Sequence, residues 1–293
     1  MSRKKNPESR SLATVSDCIF CGKPADSEED AFPKWLIDRM DAWYKMAFES
    51  FGPPEEVLLE RRICVGAETE IVFGTLKLGI RCVCRPCNNG WMSVIQNKHA
   101  KPIFTRLLEE PSLTLDLNEC RSLTLWLVMT SMVLEALNPP EYWRFSEYER
   151  CLFWHGERIP DGLSIWIARW KNSHGPSVVG HLGAREGTPH KAVVTTIGFG
   201  TLALQLAKLN ADIPLQSRPG PWDRCLVQVF PLQGNPICFP PPMEIEGYSG
   251  FEEMELRFSP PGTDPGPPSE EEIVKTAARL SRKFQRHGRP PSA

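Results

Sequence analysis

The sequence lacks a strong net charge: 34 Lys and Arg stand against 36 Asp and Glu, which leaves -2 at neutral pH. That balance excludes a generally basic nucleic-acid binder, so any contact with phosphate must come from a local patch. A long apolar run is also missing. The most apolar stretch, LTLWLVMTSMVLEAL at 123–137, contains Thr and Ser and has Glu135 near its end. It falls short of the roughly 20 residues a membrane span needs, so a buried helix is expected and no membrane contact. The charged start MSRKKNPESRSLATVSD runs to Cys18 with no apolar segment after it, which does not fit a secretory signal. A soluble, cytoplasmic protein is the expectation. No glycine-rich phosphate loop and no internal repeat occur, and histidine is scarce, with six in 293 residues.

Cysteine is what the chain has in quantity, ten in all. Four of them form two C-x-x-C pairs, Cys18/Cys21 and Cys84/Cys87. In a reducing compartment that spacing favours a metal over a disulfide. Zinc takes four soft ligands in a tetrahedron, and two such knuckles supply them, so Cys18, Cys21, Cys84 and Cys87 are the expected ligands of a structural zinc. Cys82 blurs the second knuckle, because CVCRPC offers three thiols; Cys84 with Cys87 copies the spacing of the first. The insert between Cys21 and Cys84 is 62 residues long, so it must fold back for the knuckles to meet. Cys64, Cys82, Cys120, Cys151, Cys225 and Cys238 read as small buried hydrophobes.

The rest of the chain divides by pattern. Residues 1–17 are a basic, polar tail expected to be disordered. Residues 18–110 carry the metal segment: a helical FPKWLIDRMDAWYKMAF, a breaker GPPEE, then RRICVGAETEIVFGTLKLGIRCVC alternating like two or three strands. A helix is expected from Asn88 onward, bent or interrupted at Pro102. Residues 111–258 read as an accessory α+β domain. It has a buried helix at 118–137, then LSIWIARW, SVVGHLGA, KAVVTTIGFGTLALQLA and CLVQVF as strands of an antiparallel sheet. Residues 259–293 combine the stiff linker SPPGTDPGPPS with a last helix that opens on a Ser269/Glu272 capping box. Ile273, Ala277, Leu280 and Phe284 share one face of that helix, while Lys275, Arg279, Arg282, Lys283 and Arg286 share the other. Such a helix could dock by its apolar stripe or offer the basic one to an acidic partner, protein or phosphate.

CIFC, then Glu29-Asp30-Ala31-Phe32-Pro33-Lys34-Trp35-Leu36, then CRPCNNGWMS resembles the HNH nucleases of the zinc-ribbon, ββα-metal kind. The likeness is greatest to a group of uncharacterised bacterial proteins with an E-H-x-F-P-x-W-L and C-N-N-G-W-M-S signature, and it covers residues 18 to about 108. The resemblance implies metal-dependent phosphodiester hydrolysis of DNA or RNA. Glu29 matches the carboxylate that holds the catalytic divalent ion, Mg2+ or Mn2+, and Asn88 matches the amide ligand at the helix start. Asp30 falls where the family has its general-base histidine.

That departure has a chemical consequence. A histidine with pKa near 6.5 holds and releases a proton near neutrality, whereas an aspartate near 3.9 is a poorer base. A carboxylate could instead ligate a second ion that activates water itself. Two functions therefore follow: a slow or altered nuclease using Glu29, Asp30 and Asn88, or a catalytically degenerate, zinc-stabilised module that binds nucleic acid or protein. No histidine obviously replaces the missing base. His99 shares the expected helix with Asn88 but eleven residues of helix rise ~16 Å; His155 in FWHGER is the remaining one worth testing, and His181 reads as a core residue of a strand. Trp35 and Trp91, just after the two motifs, are expected to pack the helices together rather than stack on bases.

Overall fold

A computed structural model describes residues 15–40, 42, 61–65, 68–71, 79–136, 140, 143–156, 158–171, 177–182, 193–208 and 220–256. The side chains of 28–30, 61–65, 68–71, 79, 177–182, 248, 249, 252, 255 and 256 lie outside that description. So do the linker and basic helix expected over 259–293, and all of the N-terminal tail but its last three residues. Those three belong to the fold: Val15 N–H donates to the Arg81 carbonyl at 3.2 Å, and Ala25 N–H to that of Ser16 at 3.0 Å.

Strand β1 (Ser27–Asp30) pairs antiparallel with β4 (Gly79–Val83), with a register shift between Ser27 and Glu29. Helix α1 follows Pro33 and covers residues 34–40. Proline suits a helix start because the first N–H groups have no intrahelical partner. The expected helix after the second knuckle begins earlier than predicted, at Arg85. It runs as α2 (Arg85–Cys87), two stretches of widened i→i+5 turns (Asn88–Met92 and Ile95–Ala100), and α3 (Lys101–Glu109). Pro102 does not end it. The proline sits in the first turn of α3, directly after the widened turns, where its missing N–H is absorbed.

Helix α4 (Leu117–Glu135) opens on a reciprocal capping box: Glu119 N–H donates to Asp116 Oδ1 at 2.8 Å and Asp116 N–H to Glu119 Oε2 at 2.9 Å. Every residue from Leu123 to Glu135 is buried, which explains why its sequence is apolar all round. It packs against Ile95–Ala100 on one side and on another against a large sheet, at residues Ser177–Leu182, Leu202–Lys208 and Val227–Phe230.

That sheet has the order β10-β6-β9-β8-β7-β2-β3, with β12 (Ile245–Glu246) also beside β6. Strands β6 (Leu163–Lys171), β7 (Ser177–Leu182), β8 (Val193–Phe199), β9 (Leu202–Lys208) and β10 (Val227–Phe230) run antiparallel to their neighbours in this set. The segment expected as one strand, KAVVTTIGFGTLALQLA, is the β8–β9 hairpin, turned at Gly200 with φ +58°. The insert supplies β2 (Arg61–Val65) and β3 (Glu68–Ile71), an antiparallel pair whose β2 lies parallel to β7. The hairpin thus extends the large sheet. A last pair joins β5 (Leu113–Leu115) to β11 (Ile237–Phe239).

Both faces of β8 and β9 are covered, so their residues are buried without alternation. Ser131 of α4 meets Thr195 at 2.6 Å. The next residue, Thr196, faces the other way, where Gln205 Nε2 donates to Thr196 Oγ1 at 3.1 Å and to the Met254 carbonyl of α7 (Gly247–Leu256) at 2.5 Å. The α4 side belongs to one buried cluster that reaches from Cys18 through α3 and α4 to Phe239. A smaller cluster on the α7 side contains Ala168, Trp170, Cys225, Phe251 and Met254. The architecture is mixed helix and antiparallel sheet, as expected. No helix among the described residues is long and apolar enough to cross a membrane. Helix α5 (Glu147–Gly156) packs its Phe153 beside Trp91, and the four-residue α6 (Trp222–Cys225) leads into β10.

A candidate four-cysteine metal centre

The first knuckle is a local turn closed by its own backbone. Cys18 N–H donates to the Lys23 carbonyl at 2.6 Å and Gly22 N–H to the Cys18 carbonyl at 2.9 Å. Gly22 adopts φ +69°, a left-handed conformation that glycine reaches without Cβ strain. Ile19 N–H then donates to the Cys82 carbonyl at 2.9 Å, which ties the turn to β4. The second knuckle is the junction of β4 with α2. Cys84 is still extended at φ -85°, ψ 153°, and Cys87 lies one turn into the helix. Asp26 Oδ1 accepts from Arg85 N–H at 2.7 Å, holding the helix start beside β1.

These two turns bring the Cys18, Cys21, Cys84 and Cys87 sulfurs within 4.8 Å of one another, with Cys21 and Cys84 at 3.4 Å. A tetrahedral ion with Zn–S bonds of about 2.3 Å needs sulfurs roughly 3.8 Å apart. The donor set fits zinc in chemistry and in spacing, and four thiolates would close its shell and leave no position for substrate. All four cysteines are free thiols. Burial pushes the Cys84 and Cys87 thiols up. Burial acts the same way on Cys21, but hydrogen bonds from the Lys23 backbone and the neighbouring cysteines outweigh it and bring that thiol below its ordinary value. Cys82 is buried and stands outside the group, as its spacing implied.

The other six cysteines are not uniformly core. Cys82, Cys120 and Cys225 are buried, Cys151 is half-buried, and Cys238 is exposed. Cys238 lies on β11 between Ile237 and the buried Phe239, so strand alternation turns it outward. The Cys64 side chain lies outside the described residues.

Next to the cluster, Asn88 Nδ2 donates to Ser27 Oγ at 2.8 Å. This bond joins the first widened turn after Cys87 to the strand that carries Glu29 and Asp30, whose backbones oppose Ile80 and Gly79. The side chains of Glu28, Glu29 and Asp30 are outside the described residues. Asp26 and Ser27 are the residues that sequence reading missed here. Their side chains hold groups 59 and 61 positions away, and short polar residues in a loop signal only that some backbone or side-chain partner exists.

Trp35 packs its helix against the run after Cys87 as expected, whereas Trp91 packs against the first knuckle and α5 instead. Trp35 lies 6.0 Å from Phe104, while Trp91 meets Phe20 edge-on at 4.9 Å and Phe153 at 5.8 Å. Gly90 interrupts the helical run with φ -92°, ψ -114°, placing the turn freedom of Asn89-Gly90 directly after Asn88. His99 is exposed on Ile95–Ala100, and the His155 ring lies 4.0 Å from that of Trp154 at a tilt of 42° near the end of α5. The His181 side chain, and all of His174 and His190, lie outside the described residues.

No family model, curated protein or solved structure matches the chain.

Proposed function

We propose that the protein is a zinc-stabilised, HNH-like nuclease that hydrolyses phosphodiester bonds of DNA or RNA slowly, with Asp30 in place of the usual base. The four-cysteine cluster beside the Asn88–Ser27 bond carries this reading. Zinc would be held by Cys18, Cys21, Cys84 and Cys87 and would only fix the chain. A separate divalent ion, Mg2+ or Mn2+, supplies charge neutralisation at the scissile phosphate and leaving oxygen when bound. Glu29 and Asn88 are its ligands in this reading. The bond to Ser27 commits the amide nitrogen of Asn88, which leaves the carbonyl oxygen as the atom to face a cation. Asp30 accepts the proton of the attacking water, and its low ordinary pKa makes the step slow, by about 10² to 10⁴ against a matched base.

The same substitution at residue 30 favours a second reading, a zinc-stabilised module that binds nucleic acid or a protein without turnover. Cleavage of plasmid and single-stranded substrates with added Mg2+ or Mn2+ separates the two. Activity in the wild-type protein that disappears in Asn88→Ala supports the nuclease. Silence in the wild type with activity in Asp30→His supports the binding module. If neither cuts and neither retains nucleic acid, both nucleic-acid readings fail.

A further inference from the structure

With a net charge of -2, any hold on phosphate falls to a local patch, and the helical run after the second knuckle carries one. From Ile71 to Leu108 the chain contains no Asp or Glu, and Arg85, Lys98 and Lys101 lie inside that stretch. Burial, rather than residue spacing, defines the face, because Gly90 interrupts the run. Met92, Ile95, Ala100 and Ile103 are buried, and α4 packs against Ile95–Ala100. Arg85, Asn89, Lys98, His99 and Lys101 are exposed, which puts them on the outer side. Among the described residues no carboxylate pairs with the side chain of Arg85, Lys98 or Lys101, whereas Lys34, Arg39, Arg106, Lys171 and Lys208 each hold one. The acidic groups nearby are already engaged. Asp26 Oδ1 accepts from the Arg85 N–H, and Glu109, past the far end, is held by Arg39. Glu29 and Asp30 on β1 belong, in the reading above, to the divalent-ion site.

We propose that the outer face of residues 85–101 is the surface on which a nucleic acid docks, with Arg85, Lys98 and Lys101 holding backbone phosphates and Asn89 adding an amide donor. This deepens the nucleic-acid reading above, on which it rests, and holds for a nuclease and for a binding module alike. Phosphates that replace the counter-ions of unpaired, solvated cations bind without regard to base sequence. The run spans roughly 20 Å from Arg85 to Lys101, the length of about six base pairs. That is enough backbone for three cations to hold separate phosphates. Arg85 stands three residues before Asn88, so a backbone seated on it passes the Asn88–Ser27 bond.

Fluorescence anisotropy tests this, using the zinc-loaded full chain with labelled duplex DNA, its single strand and duplex RNA, without Mg2+ or Mn2+, over a series of salt concentrations. Lys98→Gln/Lys101→Gln should weaken binding about tenfold or more at low salt, on whichever nucleic acid the wild type holds. Its logarithmic salt slope should be shallower by about 2, and adding Arg85→Gln should remove about 1 more. Lys171→Gln/Arg224→Gln removes the same charge beside β12 and in α6, and its affinity should stay within about twofold of wild type because distant charges are screened. Equal losses in the two pairs, or an unchanged slope in Lys98→Gln/Lys101→Gln, overturn the proposal and move the phosphate contacts to another part of the chain. If that variant does not fold, acetylation of the wild type decides: bound nucleic acid should shield Lys98 and Lys101 but not Lys171, and equal labelling with and without it overturns the proposal. A wild type that binds none of the three overturns the nucleic-acid reading itself, and the docking surface falls with it.

Discussion

Replacing Glu135 by Leu should be among the most damaging single changes in the described fold. Its carboxylate accepts from Arg150 Nη2 at 2.5 Å, from the Arg144 N–H, and from the Phe145 N–H at 3.3 Å. Arg150 also donates to the Phe145 and Met132 carbonyls, each at 3.2 Å, and lies over the Trp143 ring at 4.6 Å. Both side chains are almost wholly excluded from water, at 2% and 1% exposure. Burial acts against both charges, raising the Glu135 carboxyl and lowering the Arg150 guanidinium, while each partner holds the other charged. Glu135→Leu leaves a buried guanidinium that cannot shed its proton, along with two orphaned N–H groups. The loss should be about 3–5 kcal/mol, read as a melting point lower by roughly 10 °C for a chain of this size. Arg150→Met should cost less, because a stranded carboxyl can take up a proton. That variant binds more protons folded than unfolded at Glu135, so its deficit shrinks as pH falls. The double variant should recover most of the sum, retaining about 1–3 kcal/mol for the unpaired amides. Thermal and urea unfolding of the four proteins measures all of this. A Glu135→Leu loss below about 1 kcal/mol, or additive single costs in the double variant, refutes the reasoning.

Two further outcomes concern the sheet, one at a central glycine and one at the end of β9. A Cβ at Gly198 would sit 2.5 Å from Trp170 Cζ3 and 2.8 Å from Phe251 Cε2, so Gly198→Ala should overpack the α7 face and destabilise by about 1–3 kcal/mol in urea unfolding. An unchanged midpoint would show that α7 moves freely on the sheet. Glu149 is partly buried, but Lys208 Nζ at 2.9 Å and the Ser146 donors more than offset that burial and hold its carboxyl below the ordinary range. A depressed carboxyl contributes stability that is present above its unfolded pKa, about 4.3. That contribution is lost as pH falls through the lower folded value. Glu149→Gln should therefore flatten the acid limb of a melting-temperature profile while leaving its slope near neutrality unchanged.

Much of the fold was legible because local rules govern it. The helix at 118–137 announces itself by an apolar run, and α4 lies there within two residues at either end, its start fixed by the Asp116–Glu119 cap that the structure shows. The strands of the second half follow from β-branched runs between turn residues. The hairpin within KAVVTTIGFGTLALQLA was hidden because both faces of β8 and β9 are covered. Without alternation, only the turn at Gly200 marks the break. The helix after Cys87 began three residues early for a similar reason: its start is held by Asp26, 59 positions away, and no local residue signals that.

The candidate site divides along the same line. The C-x-x-C spacing by itself determined which four thiols to expect, because each knuckle is one short turn whose backbone bonds close within six residues, as Cys18 to Lys23 does. That the two knuckles meet was decided by tertiary structure, through the pairing of β1 with β4 and the bond from Ile19 to Cys82. Tertiary structure also decided that the insert joins the large sheet through β7, that Asn88 is held by Ser27, and that Trp91 lies between Phe20 and Phe153. Turn and capping chemistry acts over three or four residues and is written in the order of the chain. Contacts across sixty or more residues depend on which surfaces are left to bury against each other, and that is settled only when the helices and the sheet pack together.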